Sequence, residues 1–313
     1  MTRALHQPVM LNEMLAATRP RAGEVVVDGT FGAGGYSRAL LMAADCRVVA
    51  IDRDPNVKLL ADALAREFPG HFLFLPGRFS ALVSLLLSAG IEAVDGVVLD
   101  IGVSSMQLED AGRGFSFRAD APLDMRMSGE GVTAEEVVNR TREEELARIL
   151  FQYGEEKHSR RIAKAIVAAR QEVPITTTRQ LAEIIERALG ARARAQKIHP
   201  ATRSFQAIRI EVNQEIAELE AALTAACAVL KPGGRLVVVT FHSLEDRIVK
   251  QFIARHAGRH ENRSRHLPPV ATEQAPPFFV RSARMFPGAE EIAHNPRARS
   301  ATLRMAERAK EAA

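Results

Sequence analysis

Cysteine is scarce: Cys46 and Cys227 are the only two in 313 residues, far apart and each set among alanines. That excludes a disulfide framework and fits a reducing compartment. The opening segment MTRALHQPVM has no apolar run of signal-peptide type. No uncharged apolar stretch reaches the roughly 20 residues that cross a bilayer. A cytoplasmic chain with no membrane partner is expected. Charge of one sign is not in excess either. Lys and Arg number 42 against 38 Asp and Glu, a net +4 that admits a polyanionic partner without requiring one. Three histidines, His256, His260 and His266, share a polar stretch, but no Cys or carboxylate stands at ligand spacing from them, so no metal is expected. What the chain does have is apolar residues, 47% of the total, and length for one large or two modest domains.

Strand-like apolar runs alternate with helical periods through the first hundred residues. EVVVDG (24–29), RVVAID (47–52), HFLFLPG (71–77) and VDGVVLDIG (94–102) read as strands. Helices are expected from near Ser37, over 55–68 and over 79–90. This βα alternation predicts an α/β fold with a mostly parallel sheet covered by helices on both faces. A fifth strand, GRLVVVTFH (234–242), follows one long helix over 205–230 and a KPGG turn. Residues 103–233 separate it from the fourth, far more than a crossover needs. Segments 141–154, 159–171 and 177–190 carry apolar residues at helical spacing. The expected organisation is a sheet domain begun by 1–106, a helical insertion over 107–205, and 206–313 completing the sheet domain with a basic C-terminal segment. Within that last part 244–258 reads as a helix, 259–279 as a Pro-rich loop, and NPRARSATLRMAER as a turn and a last strand.

The first strand runs into DGTFGAGGYS (28–37). A dinucleotide turn needs G-x-G-x-x-G with amides facing a pyrophosphate. Here the third glycine is missing, and Asp28 stands at the mouth of the turn. A carboxylate there repels phosphate and attracts a cation. S-adenosylmethionine carries an ammonium and a sulfonium and no phosphate. The second strand ends at Asp52, where an acid accepts from ribose hydroxyls. The third ends near Phe79, a candidate to stack on adenine, and the fourth at Asp100. LKPGGRLVV before the fifth strand is similar to the matching turn of class I methyltransferases. The ordered set favours S-adenosylmethionine over NAD(P).

Longer strings carry a closer likeness. HQPVMLNE (6–13), DGTFGAGGYS (28–37), AIDRDP (50–55), VVLDIGVSSMQLED (97–110) and RGFSFRADAPLDMRM (113–127) are five of them. YGEEKHSRRIAKAIV (153–167), HPATRSFQAIRIEVN (199–213), GGRLVVVTFHSLEDRIVK (233–250) and NPRARSATLR (295–304) complete the set. On these the chain resembles, nearly end to end, the bacterial 16S ribosomal RNA cytosine-N4 methyltransferase family (RsmH, also written MraW). The resemblance implies a class I S-adenosylmethionine-dependent methyltransferase fold with an inserted helical domain. It also implies a cytidine substrate in the decoding centre of the small ribosomal subunit, met as an assembled particle. It places the cofactor on Gly34, Gly35, Tyr36, Asp52, Phe79, Asp100 and Gln107. Tyr36 departs from the histidine common at that position, which leaves a role for its backbone.

Candidates for polar work near a transferred methyl are Asp100, Ser104 and Ser105 after the fourth strand, and His242, Ser243, Asp246 and Arg247 after the fifth. Both sets lie at carboxyl ends of strands, where open α/β sheets build sites. Asp100 would position methionine or the base. His242 could relay a proton or only order a helix entry capped by Ser243. Carbon-5 methylation of cytosine needs a cysteine nucleophile; neither cysteine follows a proline, and both read as core. The [Asp/Asn]-Pro-Pro-aromatic string of DNA amino-methyltransferases is replaced by DIGVSS.

Positive charge gathers in clusters that fit phosphate contacts. Lys157, Arg160, Arg161 and Lys164 recur at helical spacing opposite Ile162 and Ile166. ARARAQKIHPATR (191–203) includes Arg203, RHENRSRH spans 259–266, and NPRARS carries Arg297 and Arg299. Arg113 stands beside Phe115 and Phe117, which could stack on a base or pack the insertion. RNA is the expected partner, held by Arg113, Lys157, Arg160, Arg161, Lys164, Arg203, Arg297 and Arg299. An RNA-binding assembly factor that retains the fold without catalysis, or an enzyme acting on another RNA, is the alternative.

Overall fold

The computed structural model describes residues 8–190, 199–258 and 276–310. Seven strands form one sheet: β1 (Val25–Asp28), β2 (Arg47–Asp52), β3 (Phe72–Pro76), β4 (Val94–Asp100), β5 (Leu230–Thr240), β6 (Phe279–Met285) and β7 (Thr302–Arg308). Their order is β3-β2-β1-β4-β5-β7-β6. The first five pair in parallel, and β7 runs antiparallel to both β5 and β6.

The helices are α1 (Leu11–Thr18), α2 (Gly35–Ala43), α3 (Lys58–Glu67), α4 (Leu82–Ser88), α5 (Ser105–Glu109), α6 (Ala134–Arg140) and α7 (Glu143–Gly154). They continue as α8 (Ser159–Glu172), α9 (Thr178–Leu189), α10 (Thr202–Asn213), α11 (Glu215–Val229), α12 (Ser243–His256) and α13 (Ala289–His294).

The chain divides into two compact units, residues 1–102 with 217–313, and residues 103–216. In the first, strand alternation sends neighbouring valines to opposite faces. Val27, Val49, Val97 and Leu99 pack with α4, α11 and α12. Val26, Val48 and Val98 pack on the other face with α1, α2 and α3. Both faces are covered, which is why these strands read as continuous apolar runs. The second unit has its own core, with Leu146 and Leu150 of α7, Ile162 and Ile166 of α8, and Phe205 and Ile208 of α10.

Two readings of the sequence are corrected. The helix expected over 205–230 is two, α10 and α11, broken at Gln214, which is left-handed at φ 54°. The break is built by Asn213. Its buried amide donates to the carbonyls of Met125 (2.7 Å) and Arg209 (2.9 Å) and accepts from the Met127 amide (2.8 Å). Strand β6 was not expected at all. It is a sheet edge whose Val280, Arg281 and Arg284 are exposed, so it lacks the apolar run that marked the others.

Gly154, the last residue of α7, lies against α10 so closely that a Cβ there would stand 2.5 Å from the Arg203 carbonyl oxygen. Replacing it with alanine is expected to cost about 1–3 kcal/mol, since backbone must shift to admit the methyl. Urea unfolding of the G154A chain measures this.

Candidate active site

Three strands of the first unit end on carboxylates: β1 on Asp28, β2 on Asp52 and β4 on Asp100. The glycine turn between β1 and α2 is shaped by two of them. Asp52 Oδ2 accepts from the Gly32 amide at 2.8 Å, and its Oδ1 from the Asp54 amide at 2.8 Å. Asp28 Oδ2 accepts from the Ser37 hydroxyl at 2.6 Å, and Oδ1 from the Thr30 amide at 3.2 Å. The Thr30 hydroxyl oxygen in turn accepts from the Asp100 amide at 2.7 Å. Gly34 opens α2 in the left-handed region, φ 80°. The first amides of the helix that follows have no intrahelical acceptor, so they can receive a ligand.

The acids are electrostatically strained. Asp28 is fully buried. Burial lifts its pKa to about 6, although bonds from Ser37 and Thr30 pull it down; the Asp52 charge adds to the rise. Asp52 is raised by burial too. Asp100 is raised to about 8, first by burial, then by the charges of Asp28 and Glu245. Its Oδ1 is buried and has no hydrogen-bond partner among the described residues.

Phe79 is half-buried at the start of a 3-10 turn (Phe79–Ala81) after β3. The residue before it is anchored, because Arg78 pairs with the buried Glu218 at 2.9 Å. Gly34, Asp52, Phe79 and Asp100 are thus assembled at the carboxyl ends of the parallel strands. Gln107 belongs to the second unit, where it closes a capping box with Ser104 at the start of α5. The side chain of Tyr36 turns into the core, and its hydroxyl donates to the Val9 carbonyl. Gly35 faces Pro8, whose Cγ would lie 2.2 Å from an added Cβ. These two residues offer a ligand only their backbone; their side-chain positions serve the segment 8–10.

His242 is the N-cap of α12, a position the sequence reading gave to Ser243. Its Nδ1 accepts from the Glu245 amide at 3.4 Å, and its Nε2 lies 2.9 Å from Glu245 Oε1. Asp246 is held by Arg304 through bonds of 2.7 and 2.9 Å, as a structural ion pair. Glu245, 1% exposed, is the participant that sequence reasoning missed. The spacing His-x-x-Glu at a helix entry was its only signal. Cys46 and Cys227 carry free thiols, and burial pushes the Cys227 thiol up to about 12, far from a nucleophilic thiolate.

Among the basic residues, Lys157, Arg160, Arg161 and Lys164 are exposed, the last three on α8 opposite buried Ile162, Ala163 and Ile166. Arg203 is exposed on α10 of the same unit. Arg297 is half-buried and Arg299 exposed on a 3-10 turn (Pro296–Ser300) of the first unit. Arg113 is half-buried in the second unit. Its guanidinium donates to the carbonyls of Arg126 (2.9 Å) and Met127 (2.7 Å) and lies 5.6 Å from the Phe115 ring centre. Phe115 is buried, and Phe117 packs on His199 and Phe205 at 4.4 and 4.9 Å, so both aromatics are core. The basic strings over 191–198 and 259–266, with His260 and His266, lie outside the described residues. His256 stacks on Phe252 at 4.1 Å. No cluster of three metal-binding side chains occurs among the described residues, and no helix there is long and apolar enough to cross a membrane.

Three acids with raised pKa values and an orphaned oxygen suit a cationic ligand and oppose a pyrophosphate. With the sheet order, they define a class I methyltransferase whose cofactor is S-adenosylmethionine. The chain belongs to the MraW methylase family, whose profile matches residues 3–309. It is similar to Ribosomal RNA small subunit methyltransferase H of Nitrobacter winogradskyi, 55% identical over 98% of this chain and 92% of that one. The protein of the same name from Caulobacter sp. strain K31 is 56% identical over 97% and 93%.

Two outcomes are expected. Asp100 holds its proton more tightly folded than unfolded, so its contribution to stability falls as pH rises from about 4 to about 8. Without cofactor, the D100N chain should melt higher than wild type at pH 8, by on the order of 2 kcal/mol, and equally at pH 4; differential scanning calorimetry checks this. Y36F should lose about 1 kcal/mol of stability with the bond to Val9, while calorimetric titration finds its cofactor affinity unchanged.

Proposed function

We propose that this chain methylates the N4 amine of a cytidine in small-subunit ribosomal RNA, at the decoding centre of an assembled subunit, in the cytoplasm. Family membership and the names of its relatives support the RNA class. The observation that carries the chemistry is Asp100 at the end of β4, whose Oδ1 is buried and has no hydrogen-bond partner among the described residues. Bound S-adenosylmethionine supplies an electrophilic methyl carbon. Asp52, the amides opening α2, Phe79 and Asp100 are the groups that would hold it.

The cytosine amine is a poor nucleophile because its lone pair is delocalised into the ring. Asp100 Oδ1 answers this by accepting a hydrogen bond from the amine, turning the lone pair out of conjugation, and taking the proton that the new N–C bond displaces. Positioning and fixed charge carry the rest of the acceleration. His242 is committed to its helix cap and takes no proton in this reading. A paired cytidine hides its amine, so the target is unstacked or flipped out. The exposed faces of α8 and α10 hold phosphates, and the turn with Arg297 and Arg299 adds a contact.

The test is methyl transfer from labelled S-adenosylmethionine to small subunits from cells lacking this protein, followed by nucleoside mass analysis. N4-methylcytidine is expected, and D100A should reduce its formation at least a hundredfold (about 2.7 kcal/mol). Label on another nucleoside would overturn the N4 assignment. Cofactor binding with no transfer to any RNA would favour the assembly-factor reading.

A further inference from the structure

Three carboxylate oxygens among the described residues are buried without a hydrogen-bond partner: Asp100 Oδ1, Glu218 Oε2 and Glu245 Oε1. Glu245 Oε1 lies 2.9 Å from Nε2 of the His242 ring, and Asp100 ends β4 in the site described above. Glu218, 9% exposed, is the third. Its Oε1 accepts from Arg78 Nη1 at 2.9 Å. One guanidinium nitrogen meets one oxygen, although a fork-to-fork pair would satisfy both. Oε2 is therefore a buried acceptor with no donor, which is costly for a carboxylate. A donor brought by a ligand removes that cost.

Glu218 lies in the first turn of α11, whose last residue runs into β5. That first turn consequently stands toward the carboxyl ends of the strands, where the segment after β3 meets it. The Gly77 amide donates to the Asp52 carbonyl at 2.9 Å. Arg78 reaches Glu218. The Cβ of Phe79 lies 3.5 Å from where a Cβ on Gly29 would stand. Phe79 also packs on the apolar cluster that contains Leu219 of α11 and Leu99 of β4. Asp52, Phe79 and Glu218 thus share one corner of the first unit.

S-adenosylmethionine carries three kinds of hydrogen-bond donor: the methionine ammonium, the ribose hydroxyls and the exocyclic amine on C6 of adenine. Asp52 ends β2, where an acid takes ribose hydroxyls, and Asp100 ends β4. The exocyclic amine is the donor without an acid, and Glu218 is the acid without a donor. We propose that Glu218 is a specificity-determining residue whose Oε2 accepts from the exocyclic amine of the bound adenine, while Arg78 holds the carboxylate in place through Oε1. A purine with a carbonyl at C6 sets oxygen against oxygen there and is rejected. This inference rests on the cofactor and not on which RNA is methylated.

The experiment is calorimetric titration of the full-length chain with S-adenosylhomocysteine and with S-inosylhomocysteine. The second ligand has a carbonyl and a protonated ring nitrogen where the first has the amine, and is otherwise the same. Wild type should bind the adenosyl ligand more tightly by about tenfold or more. In E218Q the side-chain amide can donate to a carbonyl, so the preference should shrink or reverse. D52N alters the ribose contact and should weaken both ligands while keeping their ratio. Equal binding of the two ligands by wild type overturns the proposal, and that measurement needs no variant to fold. An E218Q chain that keeps the wild-type ratio also overturns it, and reduces Glu218 to an anchor for Arg78. Failure of wild type to bind either ligand or S-adenosylmethionine would overturn the cofactor assignment itself.

Discussion

The turn between β1 and α2 keeps its shape because side-chain carboxylates hold its backbone: Asp52 takes the Gly32 amide, and Asp28 takes the Thr30 amide and the Ser37 hydroxyl. These bonds tie two strand ends to one loop, and the Thr30 hydroxyl, accepting from the Asp100 amide, ties the third. They also bury negative charge, and no lysine or arginine pairs with Asp28 among the described residues. The parallel sheet, packed on both faces, supplies the stability that lets the chain keep such a site, at a cost of the kind usual for functional centres. The unsatisfied charge is itself the binding instruction. It favours a ligand that brings cations and disfavours one that brings phosphate, although the underlying sheet could serve either.

The turn after β5 completes this arrangement. His242 and Glu245 cap α12 reciprocally, which fixes the backbone of Phe241 and His242. The second unit is built by similar local devices: capping boxes at α5, α6 and α9, the buried Asn213 bonds, and the Arg113 guanidinium on two carbonyls. Among its exposed basic residues, Arg160, Arg161 and Lys164 stand on one face of α8 opposite buried Ile162 and Ile166, and Arg203 stands on α10.

The legible parts of the sequence were those where one physical demand dominates. Buried parallel strands announced themselves as valine runs, and the acids Asp28, Asp52 and Asp100 were placed because strands end on them. Other features depend on partners distant in sequence. The break at Gln214 follows from Asn213 reaching Met125 and Met127, which no helical periodicity records. The bonds of Arg113 to the carbonyls of Arg126 and Met127 were hidden too, because composition does not record which carbonyls a guanidinium meets. Strand β6 is an edge with exposed Arg281 and Arg284, so it carries no strand signature. Gly35 and Tyr36 stood in a ligand motif, yet Pro8 and Val9 account for their side-chain positions.

The central claim is that the carboxyl group at the end of β4, raised to about 8 by burial and by the charges of Asp28 and Glu245, is where a cationic cofactor binds. Difference infrared spectroscopy at pH 7 tests this most directly, by following the carbonyl stretch of protonated carboxylic acids as S-adenosylmethionine is added. The account predicts that a buried carboxylic acid band disappears on binding and that D100N shows no such loss. An unchanged spectrum in wild type, or the same loss in D100N, would contradict it.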